Sequence, residues 1–299
     1  DGKLLQAVNN NAASLEARIA ALYAINLRNK SNTVTVLKGL LDNNDLREYA
    51  LRALLDRQDR RELGLENTIA AYLTHPNARV RLQAVVGAQK LNLKKLSKRL
   101  LSMSDDSKER TPLVRGEAHI HQAIPHTARR ALIQLQPIEE LHQYLSDSKL
   151  RPAVLAVLNQ IHSKENVVKL IAALKQTSVV TEKLQIVAVL LRLYKAEHNW
   201  DGDSWWTTRP FSAGPYYSAA SWEMSETIAS ALRKEVENMN ESQQKEVLYQ
   251  IRRHSLDLAE LNLPIAVDPM EQLLEQSSHT FNQHADLLSL VVDNKRTDA

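Results

Sequence analysis

An internal repeat constrains the fold of this chain more than any other feature of the sequence. The motif Arg-x-x-Ala-x-x-Ala, or a looser version of it, recurs on amphipathic segments at intervals of about 30 residues, except where residues 104–121 are inserted. Close copies begin at Arg18, Arg47 and Arg81, and looser copies begin at Arg151 and Lys183. A unit of this length holds two helices, and each pair leaves an apolar face that only a neighbouring pair can bury. The repeat therefore predicts an all-α fold, an α-solenoid of helical hairpins in which small residues let neighbouring helices approach closely.

The composition favours the same fold class. The chain has 299 residues, of which only 7 are Gly and 2 are Phe. Ala and the straight-chain residues lose little freedom in a helix, whereas Gly is costly there. Few turn glycines and an aromatic content of 5% argue against β-sandwiches and barrels. A chain of this length forms two domains or one extended array, and the repeat favours the array.

Further helices are expected between and after the motif copies. Partner helices are predicted at residues 33–41, 66–73, 93–103, 138–145 and 167–174. Start signals support several helices: Asn77 follows a proline, Pro137 stands at a first helical position, and Ser163 precedes a helical run. After the repeats, helices are predicted at residues 226–239, 242–254, 270–275 and 281–292. Ser242 is the expected cap of the second of these.

Two interruptions divide the predicted array. The first, residues 104–125, is polar and is broken by Pro112 and Pro125. The helical pattern resumes at His126. The second interruption, residues 198–222, contains all four Trp and is termed the aromatic segment. The predicted organisation is repeats over residues 1–197 with the insert at 104–125, an aromatic-rich insertion loop at 198–222, helices that continue the solenoid over 223–293, and a tail at 294–299.

The aromatic segment is the strongest candidate for a binding site. Trp, Tyr and Arg offer large rigid surfaces with a directed polar group, and they dominate binding hot spots. The candidate ligand-binding residues are Trp205, Trp206, Arg209, Tyr216, Tyr217 and Trp222. Such a face can stack on a sugar ring or a base, with Arg209 serving an anionic or hydroxyl group. The alternative is structural, because a long insert needs a core of its own and the same side chains supply one over the adjoining helices.

The remaining candidate sites are weak. His119, His121 and His126 are the metal candidates, because imidazoles at alternating positions bind zinc or copper, but the third ligand has no recognised spacing. Asp201 and Asp203 resemble the start of a calcium loop whose other ligands are missing. The chain has no cysteine, which excludes disulfides, thiolate zinc sites, iron–sulfur clusters, a cysteine nucleophile and haem attached through C-x-x-C-H. Without a catalytic or cofactor motif, the sequence predicts no catalytic residue, no metal and no cofactor.

The charges of the chain are nearly balanced. Its 38 basic and 35 acidic residues give a net charge of +3, which does not demand a polyanionic partner. Basic residues nevertheless cluster on successive repeats, at Arg57, Arg60, Arg61, Arg79, Arg81, Lys94, Lys95, Lys98 and Arg99. They form either a stripe for phosphates or a solvated helix face balanced by Asp56, Asp59 and Glu62, and we prefer the second interpretation. No apolar run approaches the roughly 18 residues of a membrane span, so no membrane span is predicted.

Two stretches resemble a known family. The repeats, in segments such as P-N-A-R-V-R-L-Q-A-V-V from Pro76, resemble HEAT repeats of the short bacterial type over about residues 12–195. The stretch W-W-T-T-R-P-F-S-A-G-P-Y-Y, which begins at Trp205, is similar to a W-W-G-T-R-P-x-x-x-G-P-Y-Y motif, with Thr207 in place of Gly. That motif belongs to the HEAT-repeat region of large secreted bacterial proteins. Those proteins join a sugar-dehydrogenase-like propeller, HEAT repeats and a c-type haem domain.

The resemblance implies that the chain is a connecting module of a larger protein. Neither a propeller nor a C-x-x-C-H motif is present here, so no redox activity is carried over to these residues. The resemblance also implies a periplasmic or cell-surface location, although the residues themselves fit a cytoplasmic location equally well.

The function predicted from the sequence is a non-catalytic helical-repeat scaffold. Its partner is another protein or an adjacent domain of the same polypeptide, held on the extended surface that stacked repeats present. The first alternative is a module that binds carbohydrate or another ligand through the aromatic segment. The second alternative is a nucleic-acid-binding helical-repeat protein, comparable to the helical-repeat DNA glycosylases, although nucleic acid is not the expected partner.

Overall fold

The chain is mostly helical, which confirms the predicted fold class at the level of secondary structure. The computed structural model describes residues 2–104, 118–199, 215–216 and 218–265, with the side chains of residues 118–122 left out. Within these ranges, strand structure is confined to one ladder of two short strands. No helix in the same ranges is long and apolar enough to span a membrane. The helices predicted at 270–275 and 281–292, and the predicted tail, lie outside the described residues.

The helices follow one another with short connections. In chain order the α-helices are α1 (Gly2–Asn9), α2 (Leu15–Arg28), α3 (Thr33–Gly39), α4 (Arg47–Leu55), α5 (Glu66–Tyr72), α6 (Ala78–Lys90), α7 (Ser97–Met103), α8 (Ala118–Leu135), α9 (Ile138–Gln143), α10 (Arg151–Leu158), α11 (Lys164–Gln176), α12 (Val180–Leu193), α13 (Ser225–Val236), α14 (Glu241–Arg253) and α15 (Leu258–Leu261). Short 3₁₀ helices stand at Leu40–Asp42, Arg60–Leu63 and Lys94–Leu96. The two strands, β1 (Ala196–Glu197) and β2 (Ala219–Ala220), pair antiparallel.

Helices that are two places apart in this order pack against each other. One series runs α2, α4, α6, α8, α10, α12 and α14, and each member contacts the next. A second series, α7, α9, α11 and α13, is connected in the same way, and consecutive helices such as α5 and α6 join the two sides. Their buried side chains form one apolar cluster that reaches from Val8 to Leu263. Burial of this shared core, rather than the stability of any single helix, holds the helices together.

The small residues of the motif lie where neighbouring helices pack. Ala50, Ala53 and Ala84 are fully buried. At Gly87 a Cβ atom would lie 2.3 Å from Cδ1 of Ile69, so α6 packs on α5 without room for a side chain unless Ile69 moves. These positions agree with the close approach that the motif predicted.

The arginines that open the motif copies bind the backbone that precedes them. The last carbonyl groups of a helix have no partner within that helix, and here guanidinium groups donate hydrogen bonds to them or to the turn that follows. The pairs are Arg18 with Val8, Arg47 with Leu41 and Asp42, Arg81 with His75 and Pro76, and Arg151 with Leu145 and Ser146, at distances from 2.6 to 3.4 Å. A positive charge also suits the negative end of the helix dipole. These contacts are termed the arginine caps. Lys183, a looser copy, instead lies 2.9 Å from Glu235.

The start of α8 differs from the predicted one. The helix begins at Ala118, inside the stretch that was expected to interrupt the helices, and Pro125 lies within it. A proline removes one backbone hydrogen bond from a helix interior. Pro125 is buried, however, and the packing of this face outweighs that loss.

The predicted helix starts agree with the structure in two cases and differ in two, since Pro137 stands just before α9 and not at its first position. Asn77 and Ser163 are confirmed as caps, because each side chain accepts a hydrogen bond from the first turn of its helix. The cap of α14 is Asn240 and not Ser242. Asn240 and Gln243 exchange hydrogen bonds between side chain and backbone at 2.9 and 3.1 Å, and this capping box satisfies two N–H groups where Ser242 offers no such pair.

Candidate functional site

The structure describes the part of the aromatic segment that attaches it to the helices. Of the candidate ligand-binding residues, Tyr216 and Trp222 are described, whereas Trp205, Trp206, Arg209 and Tyr217 lie outside the described residues and stay predictions. Tyr216 is buried and Trp222 is half-buried. Both donate hydrogen bonds to the C-terminal end of α12.

The two ends of the aromatic segment lie side by side. In the ladder of β1 and β2, Ala196 stands opposite Ala220. Next to it the backbone N–H of His198 donates to the carbonyl oxygen of Ser218 at 2.8 Å, and the N–H of Ser218 donates to Glu197 Oε1 at 2.6 Å. The chain therefore leaves the helices and returns to them at one place, shortly after α12.

Four side chains satisfy successive carbonyl groups at the end of α12. The donors and acceptors are Tyr216 Oη to Arg192 O at 2.5 Å, Trp222 Nε1 to Leu193 O at 2.8 Å, Ser225 Oγ to Tyr194 O at 2.7 Å, and His162 Nε2 to Lys195 O at 2.8 Å. A buried carbonyl group without a partner is destabilising, so these contacts stabilise the helix end. His162, Tyr216, Trp222 and Ser225 are together termed the α12 anchor.

Tyr216 is engaged on both its hydroxyl and its ring. The guanidinium carbon of Arg192 lies 4.2 Å from the ring centroid, within the range of a cation–π contact. The guanidinium also donates a hydrogen bond to the Tyr216 hydroxyl, and this hydroxyl donates to the Arg192 carbonyl oxygen. For Tyr216 these contacts favour packing, the structural alternative, over contact with a ligand.

His162 links the two aromatic residues of the anchor. Its ring centroid lies 6.0 Å from that of Tyr216 and 5.4 Å from that of Trp222, edge-on in both cases. Because a carbonyl oxygen only accepts, the contact with Lys195 requires a proton on Nε2. Burial, together with the positive charge of Arg192, lowers the pKa of His162 below its usual value. At neutral pH the imidazole is therefore uncharged and acts as a hydrogen-bond donor.

A second histidine interacts with the same guanidinium. Burial and, to a smaller extent, the positive charges of Arg192 and Arg253 together lower the pKa of His254 to about 4. Protonation of His162 or His254 would add a positive charge near Arg192. The surroundings at the end of α12 therefore favour the uncharged form of both imidazoles.

A serine–lysine pair lies beside the anchor but lacks the chemistry of a catalytic pair. Lys195 Nζ is 3.0 Å from Ser221 Oγ. A lysine that activates a serine must take the hydroxyl proton, and an ammonium group has no lone pair for it. Here the Lys195 ammonium forms an ion pair with Glu260. Burial, with the negative charge of Glu260, raises the pKa of the adjacent Tyr194 to about 12. Through its contacts with Glu260 and Ser221, Lys195 therefore connects α15 to the end of the aromatic segment.

The predicted histidine cluster is only partly described. His126 is exposed on α8, and the side chains of His119 and His121 lie outside the described residues, as do Asp201 and Asp203 of the calcium-like stretch. Among the side chains that the structure does describe, no group of three or more His, Cys, Asp or Glu is placed to hold a metal ion. The metal candidates therefore stay untested predictions.

The predicted basic clusters divide into engaged and unengaged residues. Arg57 Nε lies 2.8 Å from Asp59 Oδ1, and Arg79 Nε lies 2.5 Å from Glu48 Oε2. Arg60 donates to a backbone carbonyl oxygen. The exposed residues Lys94, Lys95 and Lys98 form no ion pair with any residue in the described ranges. The balanced face that we preferred from the sequence therefore fits these arginines and not the lysine cluster.

Neither family models nor curated proteins resemble this sequence closely enough to match. The resemblance to HEAT-repeat proteins therefore stays an expectation from the residues quoted above, and the function is argued from the geometry of the chain itself.

Proposed function

We propose that this chain is a non-catalytic α-solenoid of HEAT-like hairpins, a scaffold that holds a protein partner or adjacent domains of the same polypeptide. The observation that carries the proposal is the contact between helices two places apart, repeated along the chain over one shared core. Repeat proteins are built from such nearest-neighbour contacts and present extended surfaces to their partners. The arginine caps support the proposal, because within successive pairs the same contact joins the second helix to the end of the first helix or to the turn after it.

One groove on the described helices is suited to contact with a partner surface. An open groove of about 510 Å³ lies between α9, α11 and α12, and His142 and Lys169 contribute to its lining. The charged groups there are paired: Arg151 lies 2.8 Å from Glu182, and Lys169 lies 2.7 Å from Glu139. An open groove with paired charges is compatible with contact with a partner surface.

The resemblance stated above suggests the wider context of this proposal. In that setting the helices would connect a propeller to a c-type haem domain in the periplasm or at the cell surface, and catalysis would lie in those other parts. The chain would then be one module of a multidomain protein.

Cross-linking mass spectrometry of the full native polypeptide tests the scaffold. Exposed lysines such as Lys38, Lys95 and Lys175 lie on α3, beside α7 and on α11, so a lysine-reactive linker samples separate helix pairs. We expect links from several of these helices to another domain or another protein, and we expect these links to vanish when the sample is unfolded in urea first. Links confined to the chain's own helices would contradict the scaffold role.

A ligand-binding role of the aromatic segment is the second candidate function. The observation that favours it is the pairing of both segment ends beside α12, because recognition residues are commonly carried on loops that a rigid scaffold positions. Glycan-array binding by the Trp205→Ala/Trp206→Ala variant tests this role. Loss of sugar binding at an unchanged melting temperature supports it, with Tyr249→Ala, at an exposed aromatic residue on α14, as the control that keeps binding. A lower melting temperature without any change in binding would assign the segment to packing.

A further inference from the structure

A groove beside α7 is lined by several positively charged side chains, for which the scaffold role proposed above gives no specific purpose. This groove, termed the basic groove, has a volume of about 450 Å³. Its lining includes three exposed cations and three partly buried apolar residues, namely Lys95, Lys98, Arg99, Ala70, Leu96 and Leu150. None of the described residues that line it is a carboxylate. A ligand in this groove therefore meets positive charge and apolar surface together.

The cations of the basic groove are not neutralised by neighbours. Lys95 and Lys98 form no ion pair within the described part of the chain, and Arg99 donates to the carbonyl oxygen of Ala70 at 2.6 Å. Lys95, in the 3₁₀ helix Lys94–Leu96, and Arg99, on α7, line the same groove, where their like charges repel. Lys98 Nζ lies 5.6 Å from the ring centroid of Tyr144, a contact that leaves its charge uncompensated. The surface is thus kept basic at some expense of stability.

Other basic residues on neighbouring helices and turns form ion pairs with carboxylates. Lys90 Nζ lies 2.5 Å from Asp56, and Arg57 is paired with Asp59. Asp147, three residues before the lining residue Leu150, accepts the backbone N–H groups of Lys149 and Leu150 at 2.9 and 3.3 Å. It serves the turn before α10 and does not balance the groove.

We propose that the basic groove docks an acidic segment of a partner polypeptide. Carboxylates of that segment would contact Lys95, Lys98 and Arg99, while an apolar side chain between them would cover Leu96 and Leu150. The inference rests on the proposed scaffold role and gives the chemistry of its partner. Charge complementarity of this kind steers association and fixes the register of a bound chain.

The same charges are a poorer match for a nucleic acid. A nucleic acid presents a continuous row of phosphates and needs a long track of cations. The arginines that would extend the track across the repeats, such as Arg57, Arg60 and Arg79, are engaged by carboxylates or backbone carbonyl groups. Apolar surface among the cations instead suits a peptide that alternates acidic and apolar side chains.

Fluorescence anisotropy of the whole chain with a labelled peptide of alternating Glu and Leu tests this inference. We expect Lys95→Glu/Lys98→Glu to weaken binding at least about tenfold, because both contacts become repulsive. The matched control, Lys3→Glu/Lys30→Glu, makes the same change of net charge at exposed lysines outside the groove and is expected to leave the affinity within about twofold. A peptide with Gln in place of Glu should not bind. Lys95→Ala/Lys98→Ala provides a milder variant, and circular dichroism verifies the fold of each protein.

Three outcomes would overturn the docking of an acidic segment. Equal losses in the groove variant and the control variant would mean attraction by net charge alone. Tighter binding of a single-stranded DNA of matched charge would mean a nucleic-acid surface, and displacement of the peptide by inorganic phosphate at a similar concentration would mean a small-anion site. The scaffold proposal fails separately: absence of cross-links in the native polypeptide contradicts it even if the peptide binds.

Discussion

The first repeats and the end of α12 satisfy helix-end carbonyl groups in different ways. In the arginine caps a single cation reaches back six residues, as from Arg47 to Leu41 and from Arg151 to Leu145. In the α12 anchor the donors are neutral and lie 24 to 33 residues from their acceptors. The first arrangement is local and recurs with the helices, whereas the second forms only where the aromatic segment returns. This difference implies that arginine caps contribute independently, while the anchor residues, which touch one another, contribute as a unit.

Trp222→Ala tests the anchor most severely. The substitution removes a half-buried ring and leaves the Leu193 carbonyl without its donor, so we expect the free energy of unfolding to fall by about 3 kcal/mol. Urea denaturation followed by circular dichroism measures the loss. Trp222→Phe keeps much of the packing and removes the indole N–H with part of the ring, for which we expect a smaller loss of about 1 kcal/mol. Equal losses in the two variants would show that the ring contributes no packing to the anchor.

Arg18→Ala tests the most buried arginine cap. Arg18 is 4% exposed, and its guanidinium contacts Val8 O at 3.0 Å and Asp45 Oδ2 at 3.1 Å. Loss of these contacts and of the packed aliphatic stem should lower the free energy of unfolding by about 2 kcal/mol. Arg18→Met retains the packing of the stem, so its loss should be smaller in the same urea titration. If Arg18→Met destabilises as much as Arg18→Ala, packing of the stem is unimportant and the polar contacts carry the whole effect.

The comparison also explains which features the sequence could predict. The motif arginines recur with the helices and bind carbonyl groups a few residues earlier, so a repeat in the sequence reports a repeat in the contacts. The same regularity predicted the helical class and most helix positions. At the start of α8 the prediction was wrong because Pro125 was treated as a break, whereas burial of its face keeps it inside the helix.

The contacts of the α12 anchor could not be predicted from the sequence. Tyr216 and Trp222 stood out as rare aromatic residues, but the sequence left open whether they bind or pack. Their partner His162 is far away in the chain and belongs to no motif, since a single histidine in a helical pattern carries no signal of its own. Non-local contacts of unlike residues become visible only when the fold brings them together.

A pair of double-mutant cycles tests independence directly. For Arg47→Ala and Arg151→Ala we expect about 1 kcal/mol each and a double variant that equals the sum, because the two caps lie in separate helix pairs. For His162→Gln and Tyr216→Phe, whose side chains are 3.1 Å apart at Nε2 and Oη, we expect a coupling of about 1 kcal/mol. Urea titrations of all six variants measure both cycles. Additivity in the anchor would refute its description as a unit.

Among the predicted effects, we expect the smallest to be the pH dependence of stability that arises from the histidines at the end of α12. Burial lowers the folded-state pKa of His162, and burial with nearby positive charges lowers that of His254 to about 4. The unfolded chain, whose histidines titrate near 6.5, therefore binds more protons than the folded chain below that pH. Stability is fully present above pH 6.5 and falls as the pH falls toward 4. After allowance for solvent screening, we expect His254 to contribute a decrease in melting temperature of about 2–4 °C across this window, and we expect His162 to act in the same direction.

Substitution separates the anchor's share of this effect from that of the arginine caps. His254→Gln removes one titrating group, so the melting temperature of this variant should vary less between neutral and acidic pH than that of the unaltered chain. Arg151→Ala removes a group that stays charged throughout the window, so the pH dependence of the melting temperature should change less in this variant than in His254→Gln. Parallel curves for the unaltered chain and His254→Gln would mean that His254 titrates alike in the folded and unfolded chains. In that case the end of α12 would tolerate a charged imidazole.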